Sequence, residues 1–256
     1  MMRETESPLG QGIAIIRLMV QSGHSWGVTA LAQEMGMHKS STYRLLQVLI
    51  SLGFVEKIPE TRRYTLCADI FDFIHEIAWN FGRNLSMDKR LREAAAELKC
   101  SVYLNMLGKR DSYIICGAGD EGNTTRLGSH ARAYATSAGK VLIAHRDEST
   151  WENYAPALED KSSLITPYTN IDKQRFFAEL REVRKRGIAW NHRECSVAHV
   201  SLATIVHEPF IQQPRLAVAF LIPQETLRLR DDLELEHALL ELATDLQRKL
   251  GWHAKA

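Results

Sequence analysis

The 256-residue sequence predicts an α+β protein with a small N-terminal helical unit and a larger C-terminal domain, in which helices flank an antiparallel sheet. Two observations support this prediction. The chain is longer than the usual single domain of roughly 100 to 200 residues. Helical periodicity fills the first part as far as Gly53, whereas strand-like runs alternate with amphipathic helices in the second. We expect domains at 1–67 and 87–256, joined by a helix at 68–86.

The composition is that of an ordinary globular protein. It is 45% hydrophobic and 25% charged, and no apolar run approaches the roughly 18 residues that would cross a bilayer. Residues 1–11 lack the apolar stretch of a secretory signal, so we expect a cytoplasmic protein. The four cysteines are scattered, as is typical of reduced thiols. Since the net charge is only +1, any contact with a polyanion must come from a local patch.

The N-terminal unit is predicted as a helix-turn-helix followed by a hairpin. The elements are helices over 12–20, 28–35 and 39–52, then strands over 54–58 and 62–66. Only Gly36-Met37-His38 separates the second helix from the third, which is the tight glycine-containing turn of this motif. Pro59-Glu60-Thr61 predicts the hairpin turn. A hairpin at this place completes a winged helix.

The third helix has two chemically different faces. Its inward stripe is Thr42, Leu45, Leu46 and Leu49, so the opposite face is polar. Arg44 suits guanine and Gln47 suits adenine in a DNA major groove, while Lys39 suits a phosphate. Taken singly these side chains are more typical of a solvated surface, but their joint placement on a winged helix reverses that balance and favours DNA binding. The predicted DNA-binding residues are Lys39, Ser40, Ser41, Tyr43, Arg44 and Gln47, with Arg62 and Arg63 on the wing.

The remaining elements follow from periodicity. Residues 69–84 are apolar over nearly the whole helical circumference, which predicts a linking helix that packs against a partner chain. The C-terminal domain is predicted to hold helices over 91–98, 137–145, 171–185 and 224–250 and strands over 102–107, 111–116, 200–206 and 216–222.

Two stretches carry a family resemblance. The run from Val28 to Leu46, followed by Gly53-Phe54-Val55 and Arg63-Tyr64-Thr65-Leu66, resembles the DNA-reading head of IclR-type regulators. In the second half, Thr136 to Ala144 resembles the effector-domain motif of that family, as does Val183 to Ala189 together with Glu194. The resemblance covers roughly Leu9 to Leu250.

This resemblance implies a GAF-like effector domain and a homodimer or homotetramer on palindromic double-stranded DNA operators. It also implies control of catabolic genes by an organic, aromatic or sugar acid, with repression the commoner mode. The sequence departs from the family pattern at Ala198-His199 and at Ala203-Thr204-Ile205, so its ligand can differ from the family's examples. By position, the implied effector-binding residues are Leu127, Ala131, Ser137, Ala138, Asn191, Ser201, Ala219 and Leu221.

Four motifs favour other functions only weakly. The GxGxxG match at Gly117–Gly122 lacks a following helix, and the P-loop-like Ser137–Lys140 lacks the earlier glycine, although its helix start could direct amides toward an effector carboxylate. His192, Cys195 and His199 have a metal-like spacing without a second close pair. Ser196 and His199 lack an acid partner for catalysis.

We therefore expect no cofactor, no metal and no catalytic residue. The competing hypothesis is a small-molecule-binding enzyme that carries an accessory winged helix.

Overall fold

The computed structural model describes residues 7–70, 72, 85–119, 128–157, 163–208 and 211–252. The chain divides into two compact units, Met1–Asn80 and Phe81–Ala256. Most of the linking helix expected at 68–86, and with it the predicted packing against a partner, lies outside the described residues. Among the described helices, none combines the length and the apolar character needed to cross a membrane.

The N-terminal unit is a winged helix-turn-helix. Its elements are α1 (Pro8–Ser22), α2 (Val28–Glu34), α3 (Lys39–Ser51), β1 (Val55–Ile58) and β2 (Arg63–Leu66). β1 and β2 pair antiparallel, and a bridge between Trp26 and Tyr64 adds a third short segment to this sheet. The core consists of Ile15, Met19, Leu31, Leu46, Leu49, Val55 and Tyr64. The predicted helix-turn-helix is confirmed.

Local sequence sets the helix ends in this unit. Ser7 caps α1 by accepting a hydrogen bond from the Gly10 amide at 3.1 Å, and Pro8 suits the first turn because its ring has no amide hydrogen. Gly36 has a φ of 63°, the left-handed conformation that only glycine adopts at no steric cost. This glycine lets the chain turn sharply between α2 and α3.

The C-terminal unit alternates helices and strands. The helices are α4 (Leu85–Leu98), α5 (Ser137–Ala144), α6 (Lys173–Arg186), α7 (Gln224–Leu227) and α8 (Asp232–Trp252). The strands are β3 (Ser101–Leu107), β4 (Asp111–Ala118), β5 (His130–Arg132), β6 (Ile188–His192), β7 (His199–Val206) and β8 (Leu216–Pro223). Short 3-10 helices occupy Ala133–Ala135 and Glu148–Tyr154.

The six strands form one antiparallel sheet in the order β5-β4-β3-β8-β7-β6. Alternate residues build two cores, because successive side chains of a strand point to opposite faces. Large side chains such as Leu104, Leu202 and Phe220 belong to the core that includes α4 and α8. The small residues Ala203 and Ala219 belong to the core that includes α5 and α6. The predicted antiparallel sheet flanked by helices is confirmed.

Two differences from the predicted elements have local causes. The prediction of a single closing helix over 224–250 is wrong, since two separate helices, α7 and α8, occupy this segment. Asp231 caps the start of α8, because its carboxylate accepts a hydrogen bond from the Leu233 amide at 2.8 Å. No predicted strand corresponds to β5 or β6, which have only three and five residues and are too short to show a clear periodic pattern.

Candidate functional site

The exposed face of α3 carries the predicted DNA-binding side chains. Lys39, Ser40, Arg44 and Gln47 are exposed, and Tyr43 is 47% exposed. Ser41 and Leu45 are half-buried at the borders of this face. The helix contains no aspartate or glutamate, so its two cations give it a positive surface.

The inner face of α3 packs into the core of the N-terminal unit. Thr42, Leu46 and Leu49 are buried, and the Thr42 hydroxyl donates to the His38 carbonyl at 3.1 Å. The two faces therefore separate as the sequence predicts, except that Leu45 lies at the border. This geometry leaves the polar face of α3 free to contact a DNA groove.

The two wing arginines have different surroundings. Arg62 lies at the hairpin turn with a φ of 53° and is exposed. Arg63 is tethered, because its Nε donates to the Ser25 hydroxyl at 2.9 Å and a second guanidinium nitrogen donates to the Ser25 carbonyl. Lys57 on β1, which sequence reasoning missed, is exposed with its Nζ 5.9 Å from the centre of the Tyr64 ring. The wing thus offers Arg62 and Lys57 as exposed cations.

A cavity of about 500 Å³ lies in the C-terminal unit, between the sheet and the start of α5. Every effector-binding residue implied by the resemblance lines it, apart from Leu127, which lies outside the described residues. These seven residues are Ala131, Ser137, Ala138, Asn191, Ser201, Ala219 and Leu221. The volume is within the usual range for small-molecule pockets, about 300 to 1,000 Å³.

The start of α5 forms one wall of the cavity. Thr136 caps the helix by accepting a hydrogen bond from the Gly139 amide at 3.0 Å. The Ser137 hydroxyl donates to the Ser201 hydroxyl on β7 at 2.8 Å. Since first-turn amides have no partner within a helix, the amides of Ser137 and Ala138 are suited to an anion.

Asn191 mainly holds this wall in place through two hydrogen bonds of its side chain. Its side-chain nitrogen donates to the Ala135 carbonyl, and its side-chain oxygen accepts from the Glu194 amide at 2.8 Å. It thus ties β6 to the turn that precedes α5. We infer that its effect on a ligand is largely through the shape of the cavity.

Sequence reasoning missed several polar residues of the cavity. Tyr103 and Asn105 lie two apart on β3 and Ser112 lies on β4. The signal was a pair of polar residues at alternate positions in an otherwise apolar strand, which places both on one sheet face. The other missed lining residues are Ile114, Ser129, His130, Thr136, Cys195, Ser196, His199 and Phe220.

Lys140 has a different role from the phosphate-binding lysine of a P-loop. It is fully buried, and its Nζ donates to Glu179 at 2.7 Å and to Glu194. The second carboxylate oxygen of Glu194 accepts from the Asn170 amide at 3.3 Å. Lys140 therefore joins α5 to α6 and to the loop after β6.

The other motifs also have structural explanations. Gly117 has a φ of 144°, and a Cβ there would overlap the Val102 carbonyl oxygen. The end of its GxGxxG match lies outside the described residues. Cys195 lies in the cavity wall, and burial, with a smaller effect of Glu194, raises the pKa of its thiol. Within the described ranges, no three histidine, cysteine or acidic side chains converge as metal ligands would.

The Ser196 hydroxyl and His199 Nδ1 lie 3.2 Å apart in the cavity wall. The rest of a catalytic arrangement would need an acid that orients the histidine. Among the described residues, no carboxylate accepts a hydrogen bond from His199. The pair is consistent with a polar part of a binding wall.

A winged helix with a basic reading face and a separate unit that encloses a small-molecule cavity define a ligand-responsive DNA-binding regulator. Comparison with known proteins gives the family. The profile of the IclR helix-turn-helix domain matches residues 8–59, and that of the bacterial transcriptional regulator IclR C-terminal domain matches 85–250. The chain belongs to the IclR family of transcriptional regulators.

Curated relatives match over most of their own length. The chain is 27% identical over 233 residues to the HTH-type transcriptional regulator KdgR of Escherichia coli, covering 89% of this chain and 86% of that protein. It is 26% identical over 251 residues to the HTH-type transcriptional regulator TtgV of Pseudomonas putida, covering 96% and 93%. Both relatives are named as regulators, which favours regulation over the enzyme hypothesis.

Solved structures show the same fold. A putative transcriptional regulator from a Rhodococcus species has a TM-score of 0.70 and 20% identity, with 95% of this chain and 98% of that chain covered. An IclR homolog from Microbacterium hydrocarbonoxydans, complexed with 4-hydroxybenzoate, has a TM-score of 0.70 and 13% identity, with coverage of 93% and 98%.

Proposed function

We propose that this chain is a repressor that binds a palindromic operator as a homodimer or homotetramer and is controlled by a metabolite with a carboxylate. The proposal of DNA binding rests on the exposed face of α3. Arg44 and Gln47 lie on this face, and the helix contains no carboxylate. Arg44 would read guanine and Gln47 adenine, while Lys39 and Arg62 would contact phosphates. Lys57 adds a phosphate contact on the wing.

The chemistry of the cavity supports a carboxylic acid as the effector. Its described lining contains no lysine or arginine, so the charge of an anion would be met by the first-turn amides of α5 and by hydroxyls. Such a neutral site suits a single carboxylate better than a phosphate ester, which carries more charge. The structural relative that holds 4-hydroxybenzoate supports an aromatic acid among the organic and sugar acids.

The experiment is a gel shift of the full chain with the DNA upstream of its own gene. We expect a specific complex that survives excess unrelated DNA and dissociates when an acid from a panel of organic, aromatic and sugar acids is added. The enzyme hypothesis instead predicts binding no stronger than to unrelated DNA. Thermal shift with the same panel checks the ligand independently, because a ligand that binds only the folded chain raises its Tm.

A further inference from the structure

An apolar side chain, that of Val48, lies among the polar side chains on the exposed face of α3. Val48 is 53% exposed, although valine is one of the residues most often buried in proteins. It follows Arg44 by four residues, so the two side chains lie on one stripe of the helix, one turn apart. Gln47 precedes it and is also exposed. Val48 therefore lies on the same side of α3 as the two side chains that we propose to contact bases.

The surroundings of Val48 favour DNA over a protein as its partner. An apolar protein surface that covered Val48 would also remove the Arg44 guanidinium from water, which costs free energy unless the partner supplies a carboxylate. No carboxylate of α3 itself can pair with this guanidinium, since the helix has none. A major groove suits both side chains, because guanine presents two acceptors there and thymine presents an apolar methyl group.

The position of Val48 beside Gln47 indicates which base it contacts. Gln47 suits the N6 and N7 atoms of adenine, and the thymine paired with an adenine directs its C5 methyl group into the same groove. A valine side chain carries two methyl groups and no hydrogen-bonding group, so it suits this methyl group and none of the polar base edges. Burial of a methyl group against Val48 is favourable because it removes apolar surface from water.

We propose that Val48 recognises a thymine by contact with its C5 methyl group, at or beside the A·T pair that Gln47 contacts. This inference rests on the proposed function, which directs the exposed face of α3 toward the major groove. It adds to the polar contacts an apolar one, which distinguishes thymine from cytosine and uracil.

The test replaces the thymines of the operator with deoxyuridine, one at a time, because this exchange removes the methyl group and keeps the base pair. The operator is the DNA that the gel shift identifies, and fluorescence anisotropy measures the affinity of the full chain. At one thymine of a half-site or more, we expect the wild type to bind the deoxyuridine form about fourfold more weakly, the effect of one methyl group left unburied.

Variants assign this effect to a side chain. Val48→Ser removes both methyl groups from an exposed position, so we expect the wild-type Tm and, at one of these thymines, equal affinity for the thymine and deoxyuridine forms. The matched control is Val20→Ser, since Val20 is 59% exposed on α1. Leu52→Ser tests another exposed apolar side chain, at the end of α3. Both of these variants should keep the wild-type ratio of the two affinities.

A second base analogue tests the position relative to Gln47. Replacement of adenine by 7-deazaadenine removes the N7 acceptor, and at the A·T pair of the methyl-sensitive thymine or at an adjacent pair it should weaken binding of the wild type. It should not weaken binding of Gln47→Ala further. An adenine that depends on Gln47 but lies farther from this thymine would contradict the proposed arrangement.

The remaining outcomes separate this inference from the proposed function. If no deoxyuridine weakens binding of the wild type, the inference is refuted and operator binding still stands. A methyl dependence that Val48→Ser retains at every thymine, or that Leu52→Ser abolishes in its place, would also refute it, because another side chain would then contact the methyl group. Failure of the wild type to form a specific complex with the upstream DNA would contradict both proposals.

Discussion

At the scale of single residues, the buried ammonium of Lys140 explains why a charged side chain occupies an apolar helix. All eight residues of α5 are buried, and Lys140 alone among them is charged. Its charge is balanced by Glu194, which is 8% exposed, and by the half-buried Glu179. These three charged side chains depend on one another, because loss of one partner leaves the other charged and buried.

We expect Lys140→Met to lower the free energy of unfolding by about 3 to 5 kcal/mol, the usual effect of removing one partner of a buried ion pair. The measurement is urea denaturation followed by circular dichroism. The control is Lys173→Met, since Lys173 pairs with Glu152 where the side chains are 41% and 61% exposed. That change should stay within about 0.5 kcal/mol. Equal effects of the two variants would contradict the role given to Lys140.

His145 gives a residue-scale prediction on pH. Burial lowers the pKa of His145 below its ordinary 6.5, and the nearby His207 and Arg184 lower it further, against a hydrogen bond to Val141. As the pH falls through 6.5, the unfolded chain takes up a proton that the folded chain refuses, so the free energy of unfolding falls. We expect His145→Gln to lose less stability than the wild type between about pH 7.5 and 5.5. Parallel stability curves would refute this.

At the scale of elements, α5 depends on a glycine. A Cβ on Gly139 would overlap backbone atoms of Ala133, whereas one on Gly12 in α1 would meet nothing within 4 Å. We expect Gly139→Ala to destabilise the chain by about 1 to 3 kcal/mol or more through overpacking. Gly12→Ala should stabilise it by about 0.5 to 1 kcal/mol, because alanine favours helix. Urea denaturation checks both, and a stable Gly139→Ala variant would contradict the packing argument.

The recognition helix α3 gives a prediction about specificity. Arg44→Ala should reduce discrimination between operator and altered operator by about 1 to 3 kcal/mol, because a bidentate contact to a base is lost. Lys39→Ala should weaken binding to all sequences alike and reduce its salt dependence, because a phosphate contact is lost. Fluorescence anisotropy at several salt concentrations measures both. Arg17→Ala, on the exposed side of α1, is the control, and equal discrimination by all three variants would exclude α3 as the reader.

The helices α3 and α5 show how much of the candidate site the sequence predicts. The α3 face was predictable because its surroundings are local: a period of 3.6 residues decides which side is buried. The α5 wall was placed by resemblance, but the partners of Lys140 are 39 and 54 residues away in the chain. Helical or strand periodicity does not reveal contacts between residues so far apart in the sequence. For the same reason the sequence did not place Tyr103 and Ser112 in the cavity, because they belong to different strands that the fold brings to one wall.

At the scale of the whole molecule, the predicted DNA-binding residues and the cavity lie in different units. The net charge is only +1, so attraction to DNA has to come from the local cations of the winged helix. The cavity, in contrast, has a described lining without lysine or arginine and suits a small acid. Under the proposed function a ligand shifts the chain between a state that fits the operator and one that does not, by as much as its affinities for the two states differ.

A dimeric regulator with two winged helices is sensitive to the helical phase between the two half-sites of its operator. Two recognition helices related by a two-fold axis fit half-sites about one turn of DNA apart, or a multiple of it. Insertion of about 5 base pairs between the half-sites turns one half-site to the opposite side of the duplex. We therefore expect that insertion to reduce binding to the level of a single half-site, and an insertion of about 10 base pairs to restore part of it. Gel shifts with the three operators measure this, and equal affinity for all of them would mean that the heads do not bind as a rigid pair.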